Sequence, residues 1–137
     1  MPSSDFDTVA LVTVEENIDA FTVGLAEHET GEGAYLILQC ALVPPTEQDA
    51  TTGMDTYCVM DENGAVQYGG IERAELADDA TLRLRFAPEA VEELGIQSPD
   101  RELALTVPAE RAADLAAGLH RVLTYGNPDQ QPELIGI

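Results

Sequence analysis

An α+β fold is predicted by three features of the chain. Strand-like segments fill its first two-thirds, one long amphipathic helix lies near its end, and most connections are short. Short connections disfavour parallel βαβ winding, whose crossovers need a dozen or more residues. The expected architecture is an antiparallel β-sheet of about six to seven strands, with a short helix and one long C-terminal amphipathic helix packed on one face. The length of 137 residues fits a single domain, 1–137, with an ordered core at about 8–126 and a tail at 127–137.

Each element has its own local signal. Residues 8–14 are an apolar, β-branched run closed by polar Glu15, Glu16 and Asn17. Phe21, Val23 and Leu25 alternate with Thr22, Gly24 and Ala26, the period of a half-buried strand. Residues 34–42 are apolar on both faces and read as a central strand; residues 43–52, with Pro44 and Pro45, read as a loop. Residues 54–61 and 65–70 flank Asp61-Glu62-Asn63-Gly64, and Asn-Gly favours a two-residue type I′ hairpin. That register sets Val59 opposite Tyr68 and Tyr57 opposite Gly70, a large aromatic compensating a strand glycine.

A second hairpin joins residues 71–76 to 81–87 around Asp78 and Asp79. Its second strand points Leu82, Leu84 and Phe86 one way and Arg83 and Arg85 the other. Residues 88–94 form a short helix, opened by Pro88 and stopped by Gly95. After a strand at 101–107, residues 108–125 carry Ala112, Leu115, Ala116, Leu119, Val122 and Leu123 at helical spacing, one continuous stripe. Glu110 near its start and His120 and Arg121 near its end complement the helix dipole, and Gly126 and Pro128 end it.

The charge narrows the function. Twenty-six acids face six basic residues, all arginine, for a net charge of −20. Residues 1–72 hold fourteen acids and no arginine, and residues 73–137 hold twelve acids and all six arginines. Nucleic-acid backbones and anionic membrane surfaces are repelled by such a chain, whereas a basic protein is attracted. The N-terminal residues carry no positive segment and no apolar core of a signal peptide, and the longest uncharged run is too short to span a bilayer, so the expected location is cytoplasmic. Salt-adapted composition is the competing explanation of the acidity.

Reactive chemistry is sparse. The serines are Ser3, Ser4 and Ser98, with no G-x-S-x-G around any of them. His28 and His120 lie far apart in sequence, and Cys40 and Cys58 fall inside strands without C-x-x-C spacing, as buried reduced thiols do. These four could ligate zinc only without finger-like spacing, and Asp61-Glu62-Asn63-Gly64 lacks the rest of a calcium loop. No glycine-rich phosphate loop is present. The expectation is a protein with no catalytic residues, no metal and no cofactor, which acts by binding.

Met54-Asp55-Thr56-Tyr57-Cys58, followed ten residues on by Tyr68-Gly69-Gly70-Ile71, resembles the immunity protein 10 family of bacterial polymorphic toxin systems. Residues 33–39, Leu82-Arg83-Leu84, Pro88-Glu89-Ala90 with Leu94-Gly95, and residues 118–123 fit the same pattern, so the resemblance covers about 20–123. It implies a non-enzymatic protein that binds and neutralises a cognate toxin in the cytoplasm of the producing cell. A basic, nucleic-acid-directed toxin would match the charge. Alternatives are an acidic nucleic-acid mimic or adaptor that blocks another basic protein, and a small-ligand binding domain from a salt-adapted host. The motif residues Tyr57, Cys58, Asn63, Gly64, Tyr68, Gly69 and Gly70 are expected to shape the hairpin. Glu47, Asp49, Asp55, Glu72 and Glu75, around the hairpin and the long loop, are the candidate partner contacts.

Overall fold

The computed structural model describes residues 8–30, 33–95 and 98–137. Among these residues the fold is α+β, with ten strands divided between two five-stranded sheets. Sheet A runs β1 (Thr8–Val9), β9 (Asp100–Leu105), β8 (Thr81–Phe86), β7 (Ile71–Leu76), β10 (Glu133–Ile135). Sheet B runs β2 (Leu11–Glu16), β3 (Ala20–Ala26), β4 (Tyr35–Ala41), β5 (Cys58–Asp61), β6 (Val66–Tyr68). Sheet B is antiparallel throughout; sheet A is antiparallel except at its two margins, where β1 joins β9 and β10 joins β7 in parallel.

Period-two patterning decides which face is buried. Phe21, Val23 and Leu25 of β3 and Leu36, Leu38 and Cys40 of β4 turn inward, opposite Leu82, Leu84 and Phe86 of β8 only in the sense that all join one core. The helix α3 (Ala109–Leu123) contributes Leu115, Leu119, Val122 and Leu123, all fully buried, and lies on β2, β3 and β4. Gly118 lets it approach closely: a β-carbon there would sit 3.1 Å from both Val14 and Val23. The short helix α2 (Pro88–Leu94) buries Ala90 and Leu94 and ends at Gly95, as the sequence indicates.

Four expectations are corrected by the structure. Residues 8–14 are not one strand: the chain leaves sheet A after Val9 and enters sheet B at Leu11. The expected loop at 43–52 contains a helix, α1 (Glu47–Thr52), because Thr46 and Asp49 close a capping box in which each side chain accepts the other's backbone N–H, at 3.1 and 2.9 Å. The tail at 127–137 is ordered, forming a 3-10 turn at Pro128–Gln130 and then β10 on the edge of sheet A.

The fourth correction concerns the hairpin. Cys58 faces Tyr68, Val59 faces Gln67 and Met60 faces Val66, one residue away from the expected register. The loop is therefore Glu62-Asn63-Gly64, with positive φ at Gly64 (82°) and not at Asn63, which excludes type I′. The Asp61 carboxylate causes this by accepting the N–H groups of Asn63 (2.9 Å) and Ala65 (3.0 Å), while Gly64 N–H donates to the Asp61 carbonyl at 3.1 Å. Tyr57 does not lie over Gly70; it is fully buried.

Candidate functional site

Of the motif residues, Asn63 and Gly64 lie in the β5–β6 loop, whereas Tyr57, Gly69 and Gly70 sit where the chain crosses between sheets. β6 ends at Tyr68 in sheet B and β7 begins at Ile71 in sheet A, so Gly69 and Gly70 make the crossing alone, at φ of 71° and 91°. A side chain at Gly69 would collide with Gln130, and one at Gly70 would sit 2.8 Å from the Ala90 β-carbon of α2. The Tyr57 hydroxyl fastens this corner. It accepts the Ile71 N–H at 2.9 Å and lies 3.4 Å from the Ile71 carbonyl and 3.3 Å from that of Gln130. Burial pushes its pKa well above the ordinary 10.0.

Cys40 and Cys58 are both buried and free. Strand alternation places Cys40 with inward Leu36 and Leu38, whereas Cys58 pairs with Gln39 and Tyr68 on the outer face. Burial raises both thiols above their ordinary 9.0, which keeps them protonated and unreactive. His28 is exposed beside Glu27 (3.6 Å), His120 lies late in α3, and neither lines the recess that both cysteines border.

The outer face of sheet B is the surface that stands out. Register alignment puts Thr13, Gly24, Ile37, Met60 and Val66 in one row across all five strands. The next row holds Glu15, Thr22, Gln39, Cys58 and Tyr68, and the row on the other side begins Leu11, Ala26, Tyr35. Val66 and Tyr68 are each 39% exposed, and Ile37, Met60 and Tyr35 are half-buried. Small Gly24 and Ala26 leave a hollow of about 240 Å³ beside Leu11, Thr13, Tyr35 and Ile37. At the other end a recess of about 250 Å³ is bordered by Asp19, Gln39, Asp49, Met54, Tyr68 and Tyr125. Thr56, 4% exposed, is also in its wall, and its hydroxyl has no hydrogen-bond partner among the described residues.

Carboxylates surround this face but do not enter its middle row. Asp49 and Asp55 lie close enough to Tyr125 to raise its phenol pKa, behind burial as the larger cause. Glu62 reaches the Tyr35 N–H at 3.3 Å. The candidate contacts therefore divide. Asp49 borders the recess, Asp55 lies near its Tyr125 and Glu47 opens the same helix α1, whereas Glu72 and Glu75 lie on β7 of sheet A, paired with Arg85 (3.4 Å) and Arg73 (3.6 Å). Sequence reasoning missed the uncharged face, although the alternation Leu11, Thr13 and Thr22, Gly24, Ala26 and Tyr35, Ile37, Gln39 already carries it.

The edges of sheet B are less available than its face. Along β2, Arg111 donates to the Val12 carbonyl at 2.7 Å and Arg121 pairs with Glu16 at 2.8 Å while stacking on Phe21. The opposite edge, β6, is only three residues long.

Fold and face together define an acidic two-sheet α+β protein whose sheet B presents an uncharged middle row with carboxylates around it. The family model of immunity protein 10 matches residues 8–113, most of the chain, and the chain belongs to that family. No curated protein and no solved structure matches it.

Proposed function

We propose that this protein binds a cognate toxin domain in the cytoplasm of the producing cell and neutralises it without catalysis. The observation that carries this reading is the charge on residues 1–72, fourteen acids and no arginine or lysine, which includes every strand of sheet B. A toxin that acts on nucleic acid needs a positive surface for phosphates, and a carboxylate-rimmed protein competes for that surface. Among the candidate contacts, Glu47, Asp49 and Asp55 supply the attraction, because the arginines beside Glu72 and Glu75 offset the field of those two.

Stopped-flow association with a cognate toxin domain, sought among the genes that adjoin this one, tests the reading. The screening length falls from about 30 Å at 0.01 M salt to about 8 Å at 0.15 M, so association slows markedly between them while dissociation changes less. Replacing Glu47, Asp49 and Asp55 by Gln or Asn flattens that dependence; replacing Glu72 and Glu75 does so less. A rate indifferent to salt, or equal effects from the two sets, contradicts an acidic docking face and favours a composition set by salt adaptation.

A further inference from the structure

We propose that the outer face of sheet B is the surface on which the partner docks, and that the partner presents an uncharged, largely apolar centre flanked by basic side chains. This rests on the toxin-binding reading and adds to it the location and chemistry of the contact. Three observations carry it. The first is that this face is open: α3 covers the opposite side of β2, β3 and β4, while Ile37, Met60, Val66 and Tyr68 remain partly exposed. Contiguous exposed apolar surface of this kind marks contact sites.

The second is area. Five strands spaced about 4.8 Å apart span roughly 19 Å, and six residues of strand span about 20 Å. That is on the order of half the 800 Å² each partner contributes to a standard interface. A stable complex must therefore reach past the face onto its margin. The margin holds Glu15, Asp19, Asp49, Asp55 and Glu62, and residues 11–68 include no arginine or lysine. Complementarity then requires basic groups around an apolar centre on the partner, and the recess between Asp19, Asp49, Tyr68 and Tyr125 fits one such side chain.

The third is the exclusion of other modes. Strand addition at β2 is opposed by Arg111 on the Val12 carbonyl, and β6 is too short to template a long strand. A second copy would bring two acidic margins together on chains that each carry a net charge of −20, so the occupant is a basic protein.

Binding of the same toxin domain to single variants tests the proposal, with thermal melts showing that each variant is folded. Ile37→Lys and the more exposed Val66→Lys weaken the complex at least about tenfold. Ala104→Lys makes the same charge change at an exposed position of β9 in sheet A and alters affinity less than about threefold. Ile37→Glu, which adds attraction, also weakens binding; a tighter complex with it overturns the apolar centre. Should the sheet B and sheet A variants bind alike, the face is not the docking surface although toxin binding stands. Failure of the wild-type protein to bind the toxin overturns both. Light scattering of the protein alone that shows a dimer broken by Ile37→Lys assigns the face to a second copy and overturns the proposal.

Discussion

The two sheets share a core yet present opposite chemistry to solvent. On sheet A, registered rows run Glu133, Arg73, Arg85, Asp100 and Ile135, Glu75, Arg83, Glu102. Arg85 meets Asp100 at 2.9 Å and Glu72 at 3.4 Å, and Arg83 meets Glu102 at 3.2 Å. On sheet B the middle row, from Thr13 to Val66, carries no charge at all. Acidity imposed by composition alone would leave both faces similar. Instead four of the six arginines lie on strands of sheet A, where Arg73, Arg83 and Arg85 answer its carboxylates, while residues 11–68, which hold every strand of sheet B, carry none and Arg121 of α3 meets Glu16 at the β2 edge. The first face is complete by itself; the second is not.

The largest expected effect breaks the side of sheet B that is covered. Leu119 is fully buried in the stripe that α3 lays on that sheet. Leu119→Ala should cost roughly 2–5 kcal/mol in urea unfolding, the range for buried Leu→Ala changes. A loss below about 0.5 kcal/mol, the scale of surface substitutions, would take α3 off the sheet.

Next comes the joint between the sheets. Tyr57→Phe removes the acceptor of the buried Ile71 N–H and should cost about 1–3 kcal/mol. The same residue predicts a pH dependence. Burial raises Tyr57 above 10.0 and Cys40 and Cys58 above 9.0, while the unfolded chain ionises at those ordinary values. Above them the unfolded state binds fewer protons than the folded state, so stability falls as pH rises. Below the ordinary values both states are protonated and these groups contribute no slope. Melts from pH 7 to 11 should therefore be level with respect to these groups at first and then decline, and Tyr57→Phe should flatten the decline above pH 10.0.

Legibility in the sequence followed the range of the forces. Periodicity exposed α2, α3 and the β7–β8 hairpin, because Pro88, Gly95 and the Leu82-Leu84-Phe86 alternation act within a few residues. Division into two sheets was hidden, since it depends on Ala10 and Gly69-Gly70 redirecting the chain against distant strands. The pairing of β10 with β7 joins residues some sixty apart in the chain, from Arg73 to Glu133, and leaves no local signal. The capping box before α1 was readable as Thr46-x-x-Asp49 but was outweighed by Pro44 and Pro45. At the candidate site, the acids around the recess were legible from charge, whereas the open face required knowing which side α3 covers. The hairpin failed through one carboxylate, Asp61, whose two accepted N–H groups outweigh the Asn-Gly preference. Gly64 keeps its role in the observed loop. A β-carbon there meets nothing within 4 Å, so Gly64→Val tests backbone strain alone at φ 82° and should cost about 1–2 kcal/mol.

The smallest effect sharpens the comparison from the side of sheet A. Arg85→Gln removes two ion pairs, yet Arg85, Glu72 and Asp100 are each at least half exposed, and such pairs contribute about 0–1 kcal/mol. Its loss also relieves Arg73, which stands directly opposite Arg85 in the register, and like charges across a strand pair are unfavourable. The net change should stay below about 1 kcal/mol and shrink in 1 M salt, where the screening length is about 3 Å. Toxin dissociation should be unchanged, because the substitution leaves sheet B untouched. A stability loss above about 2 kcal/mol would make the ladder a structural requirement of sheet A. A faster dissociation would move the docking surface onto sheet A, and the contrast between the two faces would no longer separate structure from function.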